Sequence, residues 1–86
     1  MQKFVYTIHD PLGIHARPAG LLVKMAKEFP DTAITIAKGG SEVRATQLMK
    51  LMGLGIRQGD QVTITAKGPT ETAAIAAMQR FFSENL

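Results

Sequence analysis

The string Gly13-Ile14-His15-Ala16-Arg17-Pro18 places a nucleophile, a permanent cation and a helix start within six residues. Pro18 fits a first helical turn, where no intrahelical acceptor waits for its missing N–H. Gly13 permits a backbone conformation that a side chain resists. His15 therefore falls at or near the N-cap, beside unpaired backbone N–H groups and the positive end of the helix dipole. Anions collect at such a place, phosphate above all. A cationic ring is disfavoured there, so a neutral, nucleophilic imidazole is expected near pH 7. Arg17 adds a guanidinium fork that matches phosphate oxygens. Together these point to a histidine that carries a phosphoryl group. Taken alone, the string is also compatible with a helix N-terminus that binds anions without chemistry. His9, ahead of Asp10-Pro11 and with no helix start or arginine beside it, reads as structural or exposed.

The elements that must hold this string follow from hydrophobic spacing. Lys3–Ile8 alternates, with Phe4, Tyr6 and Ile8 on one face of a strand. A helix is expected over Ala16–Glu28, with Leu21, Leu22, Met25, Ala26 and Phe29 facing the core. Pro30-Asp31 stops it. Thr32–Ala37 is a second strand with Ile34 and Ile36 inward, and Lys38-Gly39-Gly40 turns it into a third over Ser41–Ala45. A short helix covers Gln47–Gly53, closed by glycine. Gln61–Lys67 is the fourth strand, with Val62, Ile64 and Ala66 on one face. The last helix starts with Thr70 as its cap and buries Ala74, Ile75, Ala77, Met78, Phe81 and Phe82. The order is βαββαβα, an α+β chain. Each strand has one apolar face, which predicts a four-stranded antiparallel sheet with three helices on one side. Thr35, Thr63 and Thr65 suit the uncovered side.

Size and composition exclude several classes. The 86 residues support one domain over positions 1–86. With 45% hydrophobic and 20% charged residues, the chain is globular rather than disordered. It contains no cysteine, which removes disulfides, thiolate metal sites and redox roles. Two histidines far apart give no zinc spacing, so neither a metal nor a cofactor is expected. No stretch is long enough to span a bilayer and no leader pattern precedes the first strand, so a cytoplasmic protein without membrane insertion is expected. The net charge of +3 favours acidic partners. A nucleic-acid module is disfavoured, because threonines rather than stacking aromatics line the open sheet face. A stand-alone enzyme is disfavoured too, since no second acid–base group stands in a recognisable motif near His15.

The short helix holds Leu48, Met49, Leu51 and Met52, more apolar side chains than one inward face of so short a helix can bury. Leu51 is expected in the core. Leu48, Met49 and Met52 then form a partly exposed patch, and methionine suits surfaces that fit several partners. Arg17, Gly20, Lys24 and Lys27 fall on one helical face and make a basic stripe.

Gly13-Ile14-His15-Ala16-Arg17-Pro18 resembles the active-site segment of the HPr family, the histidine-containing phosphocarriers of the bacterial phosphoenolpyruvate:sugar phosphotransferase system. Gln47-Leu48-Met49-Lys50-Leu51-Met52-Gly53-Leu54-Gly55-Ile56 resembles that family's second signature. Length and element order match its open-faced β-sandwich, so the resemblance spans essentially the whole chain. It implies that His15 accepts a phosphoryl group on Nδ1 from phospho-enzyme I and passes it to IIA domains of sugar permeases. Ala16 and Arg17 would offer backbone N–H groups to the phosphate, and the Arg17 guanidinium would neutralise it. Partners would dock on Gly20, Lys24, Lys27, Leu48, Met49 and Met52. The protein is then a phosphocarrier without independent turnover, and a monomer is expected. A nitrogen-regulatory or dihydroxyacetone-kinase relay is the alternative within the same fold. Many members from low-GC Gram-positive bacteria carry a regulatory serine where Gln47 stands here. Glutamine cannot accept phosphate, so no serine switch is expected, and Thr46 one residue earlier points elsewhere.

Overall fold

Period-two alternation and helical spacing alternate along the chain, and the structure, a computed structural model, describes all residues from 1 to 86. The elements are β1 (Gln2–Thr7), α1 (Ala16–Ala26), β2 (Ala33–Lys38), β3 (Ser41–Arg44), α2 (Leu48–Gly53), β4 (Gln61–Lys67) and α3 (Glu71–Asn85). The strands form one antiparallel sheet in the order β1-β4-β2-β3. Central β4 buries Val62, Ile64 and Ala66, and β2 buries Ile34 and Ile36. The three helices cover that face. Thr35 and Thr65 pair across β2 and β4 on the uncovered one. The fold is the expected open-faced α+β sandwich.

A single cluster of 20 buried apolar residues joins the sheet to all three helices. Phe82 on α3 meets Phe4, Tyr6 and Phe81 edge to face, at ring distances of 5.9, 5.4 and 6.0 Å. This aromatic group fixes α3 across β1. The end of α3 then reaches the loop after β1, where the Leu86 carbonyl accepts from the His9 and Asp10 N–H groups at 2.6 and 2.9 Å.

Several local expectations shift. Helix α1 ends at Ala26 rather than Glu28, because Glu28 and Phe29 bond back only three residues in tight turns ahead of Pro30. Leu21 is 41% exposed, not core; Ala19, Leu22, Val23 and Ala26 form the buried stripe, with Met25 and Phe29 half-buried. Ala77 is likewise only half-buried. Strands β2 and β3 begin or end one residue from their expected bounds. Thr70 stands at the N-cap of α3, yet its hydroxyl does not cap the helix. It bonds the buried Thr32 hydroxyl at 2.5 Å instead, and the Thr70 N–H also donates to Thr32 at 3.1 Å. A distant partner has outcompeted the local one.

In α2, Leu51 is 1% exposed while Leu48, Met49 and Met52 are 39%, 81% and 38% exposed. Leu51→Ala should cost about 2–5 kcal/mol of stability, as removal of a buried leucine does, whereas Met49→Ala should change stability by less than about 0.5 kcal/mol. Denaturant unfolding of the two variants checks this; equal losses would mean that the orientation of α2 is wrong.

Candidate functional site

The loop after β1 is built backwards from the chain's need to reach a helix. Asp10 folds it: Oδ1 accepts the Leu12 N–H at 2.8 Å and the Asp10 carbonyl accepts the Gly13 N–H at 2.9 Å. Gly13 follows at φ +65°, in the left-handed region that glycine enters without cost. A Cβ there would collide with the Ile56 carbonyl oxygen and stand 2.7 Å from the Arg57 Cα. Gly13 is thus required twice, by its φ and by the closeness of the chain beneath it. Next, the Ile14 N–H donates to the Ile56 carbonyl at 3.2 Å, and the Ile14 side chain is buried.

The segment from Gly55 to Asp60 forms the floor of this loop. Lys38 Nζ donates to the Gly55 carbonyl and to Asp60 Oδ2, both at 2.8 Å. Asp60 Oδ2 also accepts the Arg57 N–H at 2.8 Å. The Lys38 hydrogen bond, then the one from Arg57, hold the Asp60 carboxyl below its usual range. Gln58 Nε2 reaches the His9 carbonyl at 3.1 Å, and Ile8 exchanges backbone bonds with Gly59 and Asp60.

On that floor His15 occupies the N-cap of α1 with extended backbone, φ −102° and ψ −179°. Its carbonyl accepts the first helical bond, from Ala19 at 2.9 Å, but its ring caps nothing. The ring is half-exposed. Ala16 and Arg17 stand at the first two helical positions, so their N–H groups have no intrahelical acceptor, and no other hydrogen bond in the chain uses them. Pro18, buried at the third position, has no N–H to offer. Two backbone donors therefore face the space beside the ring. The Arg17 side chain is exposed and enters no salt bridge. Such a set can hold a transferable phosphate: two backbone donors, one unpaired cation and an imidazole nitrogen.

The ring has one charged neighbour that no local spacing announces. Asp10 Oδ2 lies 3.7 Å from His15 Nε2. No recognisable motif announced an acid–base group here, yet the Asp10 turn leaves its carboxylate beside the ring. An i to i+5 pair across an irregular loop has no periodicity to betray it. The floor residues Lys38, Ile56 and Asp60 escaped for the same reason, being long-range partners of the loop. His9 is exposed and stacks its ring edge-to-face on Tyr6 at 5.6 Å, away from this constellation.

Gly20, Lys24 and Lys27 lie along α1 beyond Arg17. A Cβ at Gly20 would meet nothing within 4 Å, so the helix backbone there is open to close approach. Lys24 and Lys27 are exposed and unpaired. Helix α2 packs beside α1, which brings Leu48, Met49 and Met52 near the basic stripe. Gln47 is the exposed N-cap of α2, and Thr46 is half-buried. No three His, Cys, Asp or Glu side chains converge to hold a metal ion.

The family described as "PTS HPr component phosphorylation site" matches residues 2–84. The chain belongs to the PTS HPr family. Phosphocarrier protein HPr of Mycoplasma genitalium is 41% identical over 85 residues, covering 99% of this chain and 97% of the relative. The Mycoplasma pneumoniae counterpart is 37% identical over 79 residues, covering 92% and 90%. A solved histidine-containing phosphocarrier protein from a mycoplasma superposes with a TM-score of 0.92 at 34% identity, over 96% of this chain and 93% of that one. HPr from Thermoanaerobacter tengcongensis superposes equally well, also at 34% identity, over 98% and 93%. This HPr-family chain is a phosphoryl carrier of the phosphotransferase system, and no helix in it is long and apolar enough to cross a membrane.

Gly13→Ala should lower stability by about 1–3 kcal/mol, the cost of a side chain at a positive-φ site. Thermal unfolding checks it, and an unchanged melting point would contradict the close approach to Ile56. The Lys38–Asp60 pair predicts a pH signature. Because the folded carboxyl sits below the ordinary value of 3.8, its contribution is complete above that pH and is lost as pH falls through the folded value. Asp60→Asn should remove that part of the acid-side loss, seen as a flatter stability profile below about pH 4. A profile parallel to wild type would show that the pair does not form.

Proposed function

We propose that His15 is the residue on which this HPr-family chain carries its phosphoryl group, at Nδ1, and that enzyme I and the IIA domains of sugar permeases are its donor and acceptors. The observation that carries the reading is the half-exposed imidazole at a helix start with two unpartnered backbone donors beside it. Nδ1 adjoins the Cγ of the ring and is the nitrogen nearer that backbone by covalent geometry. A phosphoryl group arriving there meets the Ala16 and Arg17 N–H groups and the positive end of α1. The Arg17 guanidinium swings in to neutralise its oxygens and swings out as the group leaves.

Transfer between two histidines needs alignment and charge stabilisation and little covalent work from the protein. The site also has to release what it takes. Pro18 removes one N–H from the cradle, and the one guanidinium is exposed and unpaired, which keeps the phosphorylated state from becoming a sink. Turnover is then a property of the pair of partners, and the chain alone is a carrier in a cytoplasmic relay.

Docking uses the surface around the ring. Arg17, Lys24 and Lys27 form a basic rim, Gly20 leaves the helix backbone open, and Leu48, Met49 and Met52 supply an apolar centre. A small apolar patch with a charged rim suits fast, transient association with acidic partners. Gln47 at the start of α2 carries no hydroxyl, so the relay has no serine switch at that position.

Incubation with enzyme I and phosphoenolpyruvate should add one acid-labile, base-stable phosphoryl group, lost in His15→Ala and kept in His9→Ala. Intact mass measures it, and an adduct that survives His15→Ala would overturn the assignment. Arg17→Ala should slow transfer at least tenfold, the loss of one charge-assisted contact of about 1.5–3 kcal/mol, without a change in melting temperature. The double variant Met49→Glu with Met52→Glu should weaken partner binding while the fold stays intact; unaltered transfer kinetics would remove these residues from the docking surface.

A further inference from the structure

Asp10 is tied into the loop through both its carboxylate and its backbone. Its Oδ1 is engaged by the Leu12 N–H at 2.8 Å, and its own N–H donates to the Leu86 carbonyl at 2.9 Å. The other oxygen, Oδ2, is thereby left facing His15 Nε2 at 3.7 Å. That separation is an ion-pair distance, about 0.8 Å longer than a direct hydrogen bond. No cation competes for Oδ2: Arg17 on α1 and Arg57 on the floor flank the loop, and neither pairs with Asp10.

We infer that Asp10 is a positioning residue for the phosphoryl-transfer chemistry of His15, fixing the ring proton on Nε2 so that Nδ1 keeps its lone pair. The inference rests on the assignment of His15 as the phosphoryl acceptor. An imidazole has one N–H and one lone-pair nitrogen, and whichever nitrogen faces an acceptor-only carboxylate carries the hydrogen. Here that nitrogen is Nε2. Nδ1 is then the nucleophile by default, the ring nitrogen nearer the helix-start backbone by covalent geometry.

The charge balance gives the carboxylate a second task. The Nδ1 lone pair forms the new N–P bond while the electron pair of the old N–P bond returns to the donor histidine. Nε2 keeps its hydrogen throughout, so the His15 ring becomes an N-phosphoryl imidazolium and the donor ring becomes neutral. Asp10 sits where that positive charge appears, as the aspartate of a catalytic triad does behind its histidine. On the way out the same steps run in reverse. The phosphoryl group leaves with the N–P bond broken toward the ring, and the neutral Nε2–H tautomer is restored.

The test uses the full chain with ¹⁵N-labelled histidine, comparing wild type with Asp10→Asn. Asparagine keeps an oxygen for the Leu12 N–H, so the turn survives while the carboxylate charge is removed. In the unphosphorylated wild type, imidazole ¹⁵N shifts above the ring's titration range should show the hydrogen on Nε2. In Asp10→Asn the Nδ1–H tautomer should grow in, with His9 unchanged as the internal control. Acceptance of the phosphoryl group from phospho-enzyme I should slow about tenfold, the factor that about 1.4 kcal/mol of lost charge stabilisation gives. A structural role would lower the melting temperature and leave the tautomer ratio alone. An identical tautomer ratio and an identical rate would overturn the inference and leave Asp10 as a turn former. If wild type takes no phosphoryl group on His15, the assignment of the site fails. The tautomer comparison still judges Asp10, because it needs no phosphorylation.

Discussion

The closest constraint in this molecule is the contact between Gly13 and the Ile56 carbonyl. Two loops distant in sequence meet there with no room for a side chain, and the Ile14 N–H locks them at 3.2 Å. The upper loop ends in the N-cap of α1, so its height above the lower one sets where His15 stands. The lower loop owes its own shape to Lys38, which binds Gly55 and Asp60 together from the end of β2. Sheet, floor, glycine and histidine form one mechanical series.

The electrostatics of the site are sparse by comparison with a binding pocket. Two unpartnered backbone N–H groups and one exposed guanidinium stand at the helix start, and a single carboxylate lies 3.7 Å from the ring's Nε2. A deeper anion cradle would hold phosphate more tightly and slow its departure. Proline at the third helical position keeps the cradle shallow without weakening the helix, because its absent N–H would have been unpaired in any case. The same residue type that begins the helix thus also restricts how much anion binding it can do.

Much of this was legible in the sequence. The glycine, histidine, arginine and proline of the hexapeptide have local meanings that add up to a helix start with a nucleophile. The surplus of apolar residues in α2 foretold that Leu51 would be buried and that Leu48, Met49 and Met52 would not. What the sequence concealed is long-range or irregular. Asp10 signalled a turn, and nothing local said that the turn would aim a carboxylate at His15. Lys38 read as a hairpin residue, while its real partners lie across the fold. Leu21 fits a helical apolar spacing yet points outward, since only the placement of α2 and the sheet decides which part of a broad apolar arc is covered. Thr70 shows the converse: its local capping role lost to the buried Thr32 hydroxyl, a better partner that only folding supplies.

The account stands on a histidine ring presented beside the open Ala16 and Arg17 backbone donors, and amide NMR addresses that arrangement directly. Amide ¹H–¹⁵N spectra recorded before and after phosphorylation by enzyme I should show the largest downfield shifts at Ala16 and Arg17, as their N–H groups take up the phosphate oxygens. His9, and Glu71 at the start of α3, should barely move. Largest shifts at another helix start, or a phosphorylated protein whose Ala16 and Arg17 amides stay in place, would contradict it.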